Sequence, residues 1–190
     1  MNFVTLRRAA LTVALLATPG LHAAEVAGVR IEDSVRVGSS DLALNGAGLR
    51  SKLFIKLYVG ALYVPQRSSQ PAQLIDSNAP RRMSLRLLRD IGADTLHGAL
   101  EEGLANNSTP EELAAIRPAA DQFGALMKGF GKLREGDTVA IDFSGDGVSV
   151  SLAGEIKGKV AGAAFAKALL KVWLGDKPAD ASLKKALLGQ

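Results

Sequence analysis

The hydrophobic and polar positions along this chain follow two periods, one typical of strands and one typical of helices. Alternation with a period of two predicts early strands at residues 29–37, 41–44, 53–64 and 82–88. Alternation around a glycine-rich turn predicts later strands at residues 137–143, 148–152 and 155–158. Helical spacing predicts helices at about residues 70–75, 94–107, 109–130, 161–173 and 180–188. This order predicts an α+β fold, with helices layered on an antiparallel sheet.

The segment from Gly46 to Val64 reads as one long strand with two different faces. Its odd positions from residue 53 onward are almost wholly apolar and predict a core face. Its even positions mix polar with apolar side chains: Arg50, Lys52, Phe54, Lys56, Tyr58, Leu62 and Val64. The even face is either a solvated surface, with lysines reaching water, or the wall of a cleft with a cationic end. A straight strand rises about 3.3 Å per residue, so Arg50 and Tyr58 can share one ligand only if the chain bends between them.

The sequence carries strong capping signals at the start of the helix predicted over residues 109–130. Thr109 is a capping residue, Pro110 takes the first helical position, and Glu112 lies three residues after the cap. This pattern predicts a capping box. Pro118 is then expected to kink or split the helix that follows.

The N-terminus has the layout of a secretory signal peptide. Arg7 and Arg8 precede an apolar run over residues 9–17, which is too short to span a bilayer. Small residues follow this run. We therefore expect residues 1–23 to be removed, and residues 24–190 to be exported to the periplasm as one domain without a transmembrane segment.

Charge gives little support for a nucleic acid partner. Without Arg7 and Arg8 the formal net charge falls from +4 to +2, because no acidic residue precedes Glu25. The chain does contain a cluster of arginines, which lacks interleaved aromatic residues for base stacking. We interpret this cluster as a solvated strand face and expect no nucleic acid binding: Arg81, Arg82, Arg86 and Arg89.

Residue usage also limits the chemistry. The chain has no cysteine, which excludes thiol nucleophiles and cysteine metal sites. His97 is the one histidine after residue 23, and we predict no catalytic triad, no metal site and no cofactor. His97 is interpreted as a packing or surface residue. Ligation of a haem, and hence tetrapyrrole binding, is the alternative.

Two segments carry a resemblance to a known family. LNGAGLRSKLFIKLYVGALYV, from Leu44, and GEIKGKVAGAAFAKALLKVWLGDKPADASLKKALLG, from Gly154, resemble the bacterial, exported branch of the chalcone isomerase-like proteins. That family implies an open-faced β-sandwich, in which a long antiparallel sheet and a layer of helices enclose a ligand cleft. Its members include plant flavonoid-forming isomerases and non-catalytic plastid fatty-acid-binding proteins.

The resemblance implies roles for Arg50 and Tyr58. In both groups an arginine near the start of this element points into the cleft, and Arg50 matches it. The fatty-acid binders follow with a tyrosine that helps to hold the carboxylate, which Tyr58 matches, whereas the isomerases have a threonine. The isomerases' tyrosine and asparagine on the next helix fall here on residues that cannot replace them: Thr95 or Leu96, and Glu102 or Gly103.

Ring closure of a chalcone needs preorganised hydrogen-bond donors, and the second polar cluster is missing here. The sequence therefore favours non-catalytic binding of a hydrophobic anionic small molecule, a fatty acid or related lipid. The ligand-binding residues predicted are Arg50, Tyr58, Lys56, Phe54 and Leu62. Two alternatives stay open, namely an isomerase or lyase acting on a chalcone-like phenolic or enone substrate, and an interaction module with a closed cleft.

Overall fold

A seven-stranded antiparallel sheet organises residues 24–190, the part of the chain that the computed structural model describes. The predicted signal peptide, residues 1–23, lies outside the described residues. The strands are β1 (Ala24–Val26), β2 (Val29–Ile31), β3 (Ser34–Val37), β4 (Ser40–Lys52), β5 (Ile55–Val64), β6 (Arg81–Leu87), β7 (Ile91–Gly92), β8 (Lys132–Leu133), β9 (Thr138–Phe143), β10 (Gly147–Leu152) and β11 (Glu155–Ala161). The large sheet has the order β11-β10-β9-β6-β5-β4-β3, while β1 pairs with β2 and β7 with β8.

Five helices occur in the same part of the chain: α1 (Pro71–Asp76), α2 (Ala93–Asn106), α3 (Pro110–Lys128), α4 (Ala163–Leu174) and α5 (Ala181–Leu187). The predicted capping box is present, because the Thr109 hydroxyl accepts from the Glu112 N–H while the Glu112 carboxylate accepts from the Thr109 N–H. Helix α3 continues through Pro118, so the predicted split does not occur. Between residues 24 and 190 no helix has the length and apolar content needed to cross a membrane.

Strand β5 is buried on both faces. Its even-numbered side chains Tyr58 and Leu62 join the main core with the helices. Its odd-numbered side chains Val59, Ala61 and Tyr63 join a second cluster beside the β1–β2 pair. From Tyr58 onward the odd positions are buried, as predicted, and the even positions are not the solvated surface that was one of their two predicted alternatives. The physical reason is that β5 is a central strand, and both sides of the sheet are covered there.

Strands β4 and β5 are the two arms of one hairpin, where the pattern predicted a single strand. Leu53 and Phe54 form the turn, with φ angles of 49° and 67°. Such a turn ordinarily carries Asn and Gly. Because two bulky apolar residues stand there instead, the sequence pattern does not predict the turn. The hairpin supplies the bend that a shared site requires, because Arg50 and Tyr58 become direct cross-strand partners.

Helix α5 lies directly on a floor of glycines in β4 and β5. A Cβ atom on Gly46 would lie 2.0 Å from the Ala186 carbonyl oxygen, and one on Gly48 would lie 2.6 Å from the Ala186 Cβ. The Asn45 side chain also donates to the Leu187 carbonyl at 2.7 Å. This close approach brings the start of α5, at Asp180, beside β4.

The arginine cluster is only in part the solvated face that the sequence predicted, because Arg86 and Arg89 are exposed whereas Arg81 is buried and Arg82 is half-buried. Arg81 is buried, donates to the carbonyl oxygens of Leu74 and Ile75, and lies over the Phe143 ring. Its burial lowers the pKa of the Arg81 guanidinium below its ordinary value. On the opposite face of the same strand, Arg82 forms a two-pronged ion pair with the carboxylate of Asp142, which lies in the adjacent strand β9.

Candidate ligand-binding cleft

A cavity of about 570 Å³ opens between the large sheet, helix α2 and the loop that follows α4. This volume lies within the range of small-molecule sites in proteins. The sheet contributes Arg50, Lys52, Leu57 and Tyr58 to its wall. Helix α2, the segment before it and the C-terminal loop contribute the rest: Arg89, Asp90, Ile91, Gly92, Thr95, Leu96, Ala99, Leu100, Glu102, Gly103, Asn106, Val172, Lys177, Pro178 and Ala179.

The charges around this cavity are mostly positive. Four cationic side chains line it, against the carboxylates of Asp90 and Glu102: Arg50, Lys52, Arg89 and Lys177. Asp90 also pairs with Lys132, at 2.8 Å between Nζ and Oδ2. Leucine, isoleucine, valine and alanine side chains supply the apolar part of the wall. Such a cavity suits a molecule with an apolar body and a negative head.

Arg50 is held at one end of this wall. Its Nη1 donates to the Ser51 carbonyl at 3.3 Å and lies 3.5 Å from Oδ2 of Asp180. The Arg50 and Asp180 side chains are only 18% and 17% exposed. Within residues 24–190 the guanidinium makes no other hydrogen bond, so Nε and Nη2 retain donors that a ligand oxygen can accept.

Tyr58 lies opposite Arg50, and its hydroxyl is buried. The hydroxyl accepts a hydrogen bond of 3.0 Å from Nε1 of Trp173. Burial raises the pKa of Tyr58 above its ordinary value, against the opposing effects of the Trp173 hydrogen bond and the Arg50 charge. The side chain is therefore a neutral phenol. Because its oxygen accepts from Trp173, its own hydrogen remains able to donate to a ligand oxygen.

The structure does not bring the other three predicted site residues to this cavity. Phe54 lies at the hairpin turn with its side chain fully in solvent, and Lys56 is exposed beside it. Leu62 is completely buried in the main core, where it packs instead of lining the cavity. The reason is the hairpin, which points the turn outward and carries the far end of β5 under the helices.

The helix positions matched to the isomerase residues do face the cavity. Thr95, Leu96, Glu102 and Gly103 all line it, on the side that α2 provides. Asn106, at the end of α2, lines it as well. The cavity therefore has polar groups on its helical wall, and the cleft is not filled by side chains.

Sequence reasoning missed two residues that hold the site. Trp173 is a buried core residue, and its Nε1 also positions the Tyr58 hydroxyl. Asp180 caps α5 by accepting from the N–H groups of Ser182 and Leu183, and the same carboxylate contacts Arg50. An aspartate just before a helical pattern signals a cap, but its contact with β4 depends on the tertiary fold.

His97 fills a contact between two helices and does not line the cavity. A Cβ atom on Gly124, in α3, would lie 2.4 Å from Nε2 of His97. The His97 ring is buried, and Nε2 is 3.8 Å from the Glu101 carboxylate. This arrangement is that of a packing residue.

Known proteins share this fold and its sequence pattern. A crystal structure of a fatty-acid-binding protein from Arabidopsis thaliana matches with a TM-score of 0.66, covering 85% of this chain and 92% of that protein, at 18% sequence identity. A search of curated proteins by sequence finds no match. The structural likeness supports the open-faced β-sandwich predicted from the sequence. A family model described as chalcone isomerase-like matches residues 23–189, and the chain therefore belongs to the chalcone isomerase-like family.

Proposed function

We propose that this protein binds a hydrophobic anionic small molecule, a fatty acid or related lipid, in the cleft and catalyses no reaction on it. The observation that carries the proposal is the pairing of Arg50 with Tyr58 at the cavity wall. Arg50 offers guanidinium N–H donors that no residue between 24 and 190 uses, and Tyr58 offers the proton of a neutral phenol. The ligand named for the Arabidopsis structure supports the same class of molecule.

The two parts of such a ligand contribute differently to affinity. Each methylene buried against the apolar wall contributes about 0.8 kcal/mol, so a long acyl chain supplies most of the binding free energy. A charge-assisted hydrogen bond from Arg50 to a carboxylate adds about 1.5–3 kcal/mol. Asp180 does not block this bond, because it contacts one nitrogen of the guanidinium at 3.5 Å. The head group therefore sets specificity for an acid over an alcohol.

Titration with a fatty acid and the matching fatty alcohol tests this proposal. Arg50→Ala should lower the affinity for the acid about 10- to 100-fold and barely change the affinity for the alcohol. Lys56→Ala is the matched control, since it removes a nearby cation that lies outside the cavity. Melting temperatures of all variants check that the fold is intact. If Arg50→Ala binds both ligands as the parent does, the site assignment is wrong.

An isomerase or lyase acting on a phenolic enone is the second candidate. It is favoured by Glu102 and Asn106, which face the cavity from α2, and by the neutral phenol of Tyr58 on the opposite wall. A chalcone-like phenol, followed by the loss of its enone absorbance, separates the two functions. We expect no turnover above the uncatalysed rate. Turnover that Tyr58→Phe abolishes would establish the enzyme instead.

A further inference from the structure

The turn of the β4–β5 hairpin carries three consecutive large apolar side chains in solvent. Leu53, Phe54 and Ile55 are 83%, 102% and 46% exposed. Among residues 24–190, Ile156 is the one other large apolar residue in this class, and it lies alone on β11. Scattered apolar residues are ordinary on a surface, but three in a row at one tip indicate a contact with something else. We call Leu53, Phe54 and Ile55 the apolar tip.

The apolar tip projects beyond the body of the sheet. Strand β6 pairs with β5 only from Tyr58 onward, where Tyr58 lies opposite Leu87. On the other side, β3 pairs with β4 no further than Ala43. The end of the hairpin, from Lys52 to Lys56, therefore has no third strand beside it.

The fold does not need bulky residues at this turn. Leu53 and Phe54 both have positive φ angles, a conformation that suits Asn and Gly and disfavours bulky side chains. Their side chains also make no core contact that would offset this preference. Apolar residues here are thus unfavourable for the turn, and the packing of residues 24–190 does not explain them.

The charges around the apolar tip are positive. Lys52 and Lys56 flank it, and neither forms an ion pair within residues 24–190. No acidic residue occurs between Asp41 and Asp76 in the sequence. Three carboxylates lie near this end of the cleft: Asp180 contacts Arg50, Asp90 pairs with Lys132, and Glu102 lies on the helical wall. An apolar tip between unpaired lysines is complementary to a surface that is anionic outside and apolar beneath.

We propose that the apolar tip inserts into the surface of an anionic lipid bilayer, with Lys52 and Lys56 at the level of the head-group phosphates. Each lysine near such a surface strengthens membrane binding about fivefold. The apolar side chains strengthen it further, because their apolar surface is buried below the head groups. Lys52 and Leu57 also line the cleft, so insertion places this end of the cleft near the membrane. Insertion does not depend on the ligand of the cleft. Only the consequence, transfer of a lipid between bilayer and cleft, rests on the proposed function.

A tryptophan placed at the tip reports insertion directly. In protein recovered from the periplasm, which is expected to lack residues 1–23, Phe54→Trp should shift its emission to the blue, and brominated acyl chains should quench it, when vesicles of phosphatidylglycerol and phosphatidylcholine are added. Ile156→Trp is the matched control, an exposed apolar site on another strand, and should show neither change. The native Trp173 is buried and contributes the same background fluorescence in both variants. An unshifted, unquenched Phe54→Trp overturns the proposal.

Two further variants separate the apolar and the charged contributions. Leu53→Asn with Phe54→Gly gives the turn its preferred residues, so it should keep or raise the melting temperature while lowering vesicle affinity at least about tenfold. Lys52→Gln with Lys56→Gln should lower affinity about 25-fold, and high salt should abolish this difference. These measurements contain no fatty acid, so they stand apart from the acid and alcohol titration. If the Asn-Gly variant instead dissociates a dimer of the parent and leaves vesicle quenching unchanged, the tip contacts a second copy and the proposal is wrong.

Discussion

Arg50 and Tyr58 lie directly opposite each other across the β4–β5 hairpin, and both face one cavity. Each is held by a residue from the C-terminal part of the chain. Asp180 contacts the Arg50 guanidinium at 3.5 Å, and Trp173 donates to the Tyr58 hydroxyl at 3.0 Å. The polar end of the cleft is therefore a four-residue arrangement, of which Arg50 and Tyr58 line the cavity while Asp180 and Trp173 hold them in place.

Removing the Tyr58 hydroxyl should destabilise the protein as well as weaken binding. Tyr58→Phe leaves the buried Nε1 of Trp173 without an acceptor, so the free energy of unfolding should fall by about 1–3 kcal/mol. Urea unfolding measures the change. Tyr63→Phe is the control, because Tyr63 is equally buried and its hydroxyl has no hydrogen bond within residues 24–190. Equal losses of unfolding free energy in Tyr58→Phe and Tyr63→Phe would contradict the role given to Trp173.

Neutralising Asp180 should improve binding of an anion. Asp180→Asn keeps a side-chain oxygen to cap α5 but removes the charge that competes for Arg50. Fatty acid affinity should rise roughly two- to fivefold, with little change in stability. Asp180→Ala removes the cap as well and should lower the free energy of unfolding by about 1 kcal/mol. Weaker binding by the Asn variant would mean that Asp180 orients Arg50 instead of competing for it.

Stability should fall at alkaline pH partly because of Tyr63. Burial raises the pKa of Tyr63 to about 12, so the folded state favours the neutral phenol. The stabilisation is complete below the unfolded pKa, near 10, and is lost as the pH rises through about 12. Between these pH values the free energy of unfolding should decline less for Tyr63→Phe than for the parent, by about 1 kcal/mol once solvent screening is allowed for. Parallel curves would remove Tyr63 from the explanation.

The glycine floor under α5 should tolerate no side chain. Gly46→Ala places a Cβ atom against the Ala186 backbone and should lower the free energy of unfolding by about 1–3 kcal/mol. It should also loosen Asp180 beside Arg50. Gly98→Ala is the matched control, since Gly98 lies in α2 with open space around it, and it should stabilise the protein by about 0.5–1 kcal/mol. Thermal and urea unfolding measure the stability of both variants. A Gly46→Ala protein as stable as the parent would contradict the close packing.

Export should remove the N-terminal segment. If the basic and apolar start of the chain is a signal peptide, protein recovered from the periplasm should begin at Ala24 or Glu25. N-terminal sequencing or intact mass measures this directly. Full-length protein retained in the cytoplasm would contradict both the signal peptide and the periplasmic location.

Local patterns in the sequence determined the element types and the general site. Period-two and helical spacing report which side of each segment is apolar, and the capping box of α3 needs only four adjacent residues. The choice of Arg50 and Tyr58 as candidate site residues came from the family resemblance of two short segments, whereas their cross-strand pairing was not predicted. These features depend on neighbours in the chain, which a sequence displays.

Tertiary contacts decided what those patterns could not contain. The turn at Leu53 and Phe54 has no glycine or asparagine to announce it, so only the folded hairpin separates the outward tip from the cleft wall. Arg81 became buried because the end of α1 offers carbonyl oxygens to it. Trp173 meets Tyr58 across 115 positions of sequence, and Asp180 meets Arg50 across 130. Such contacts arise from packing α4 and α5 onto β4 and β5, and no local periodicity encodes which distant side chains then meet.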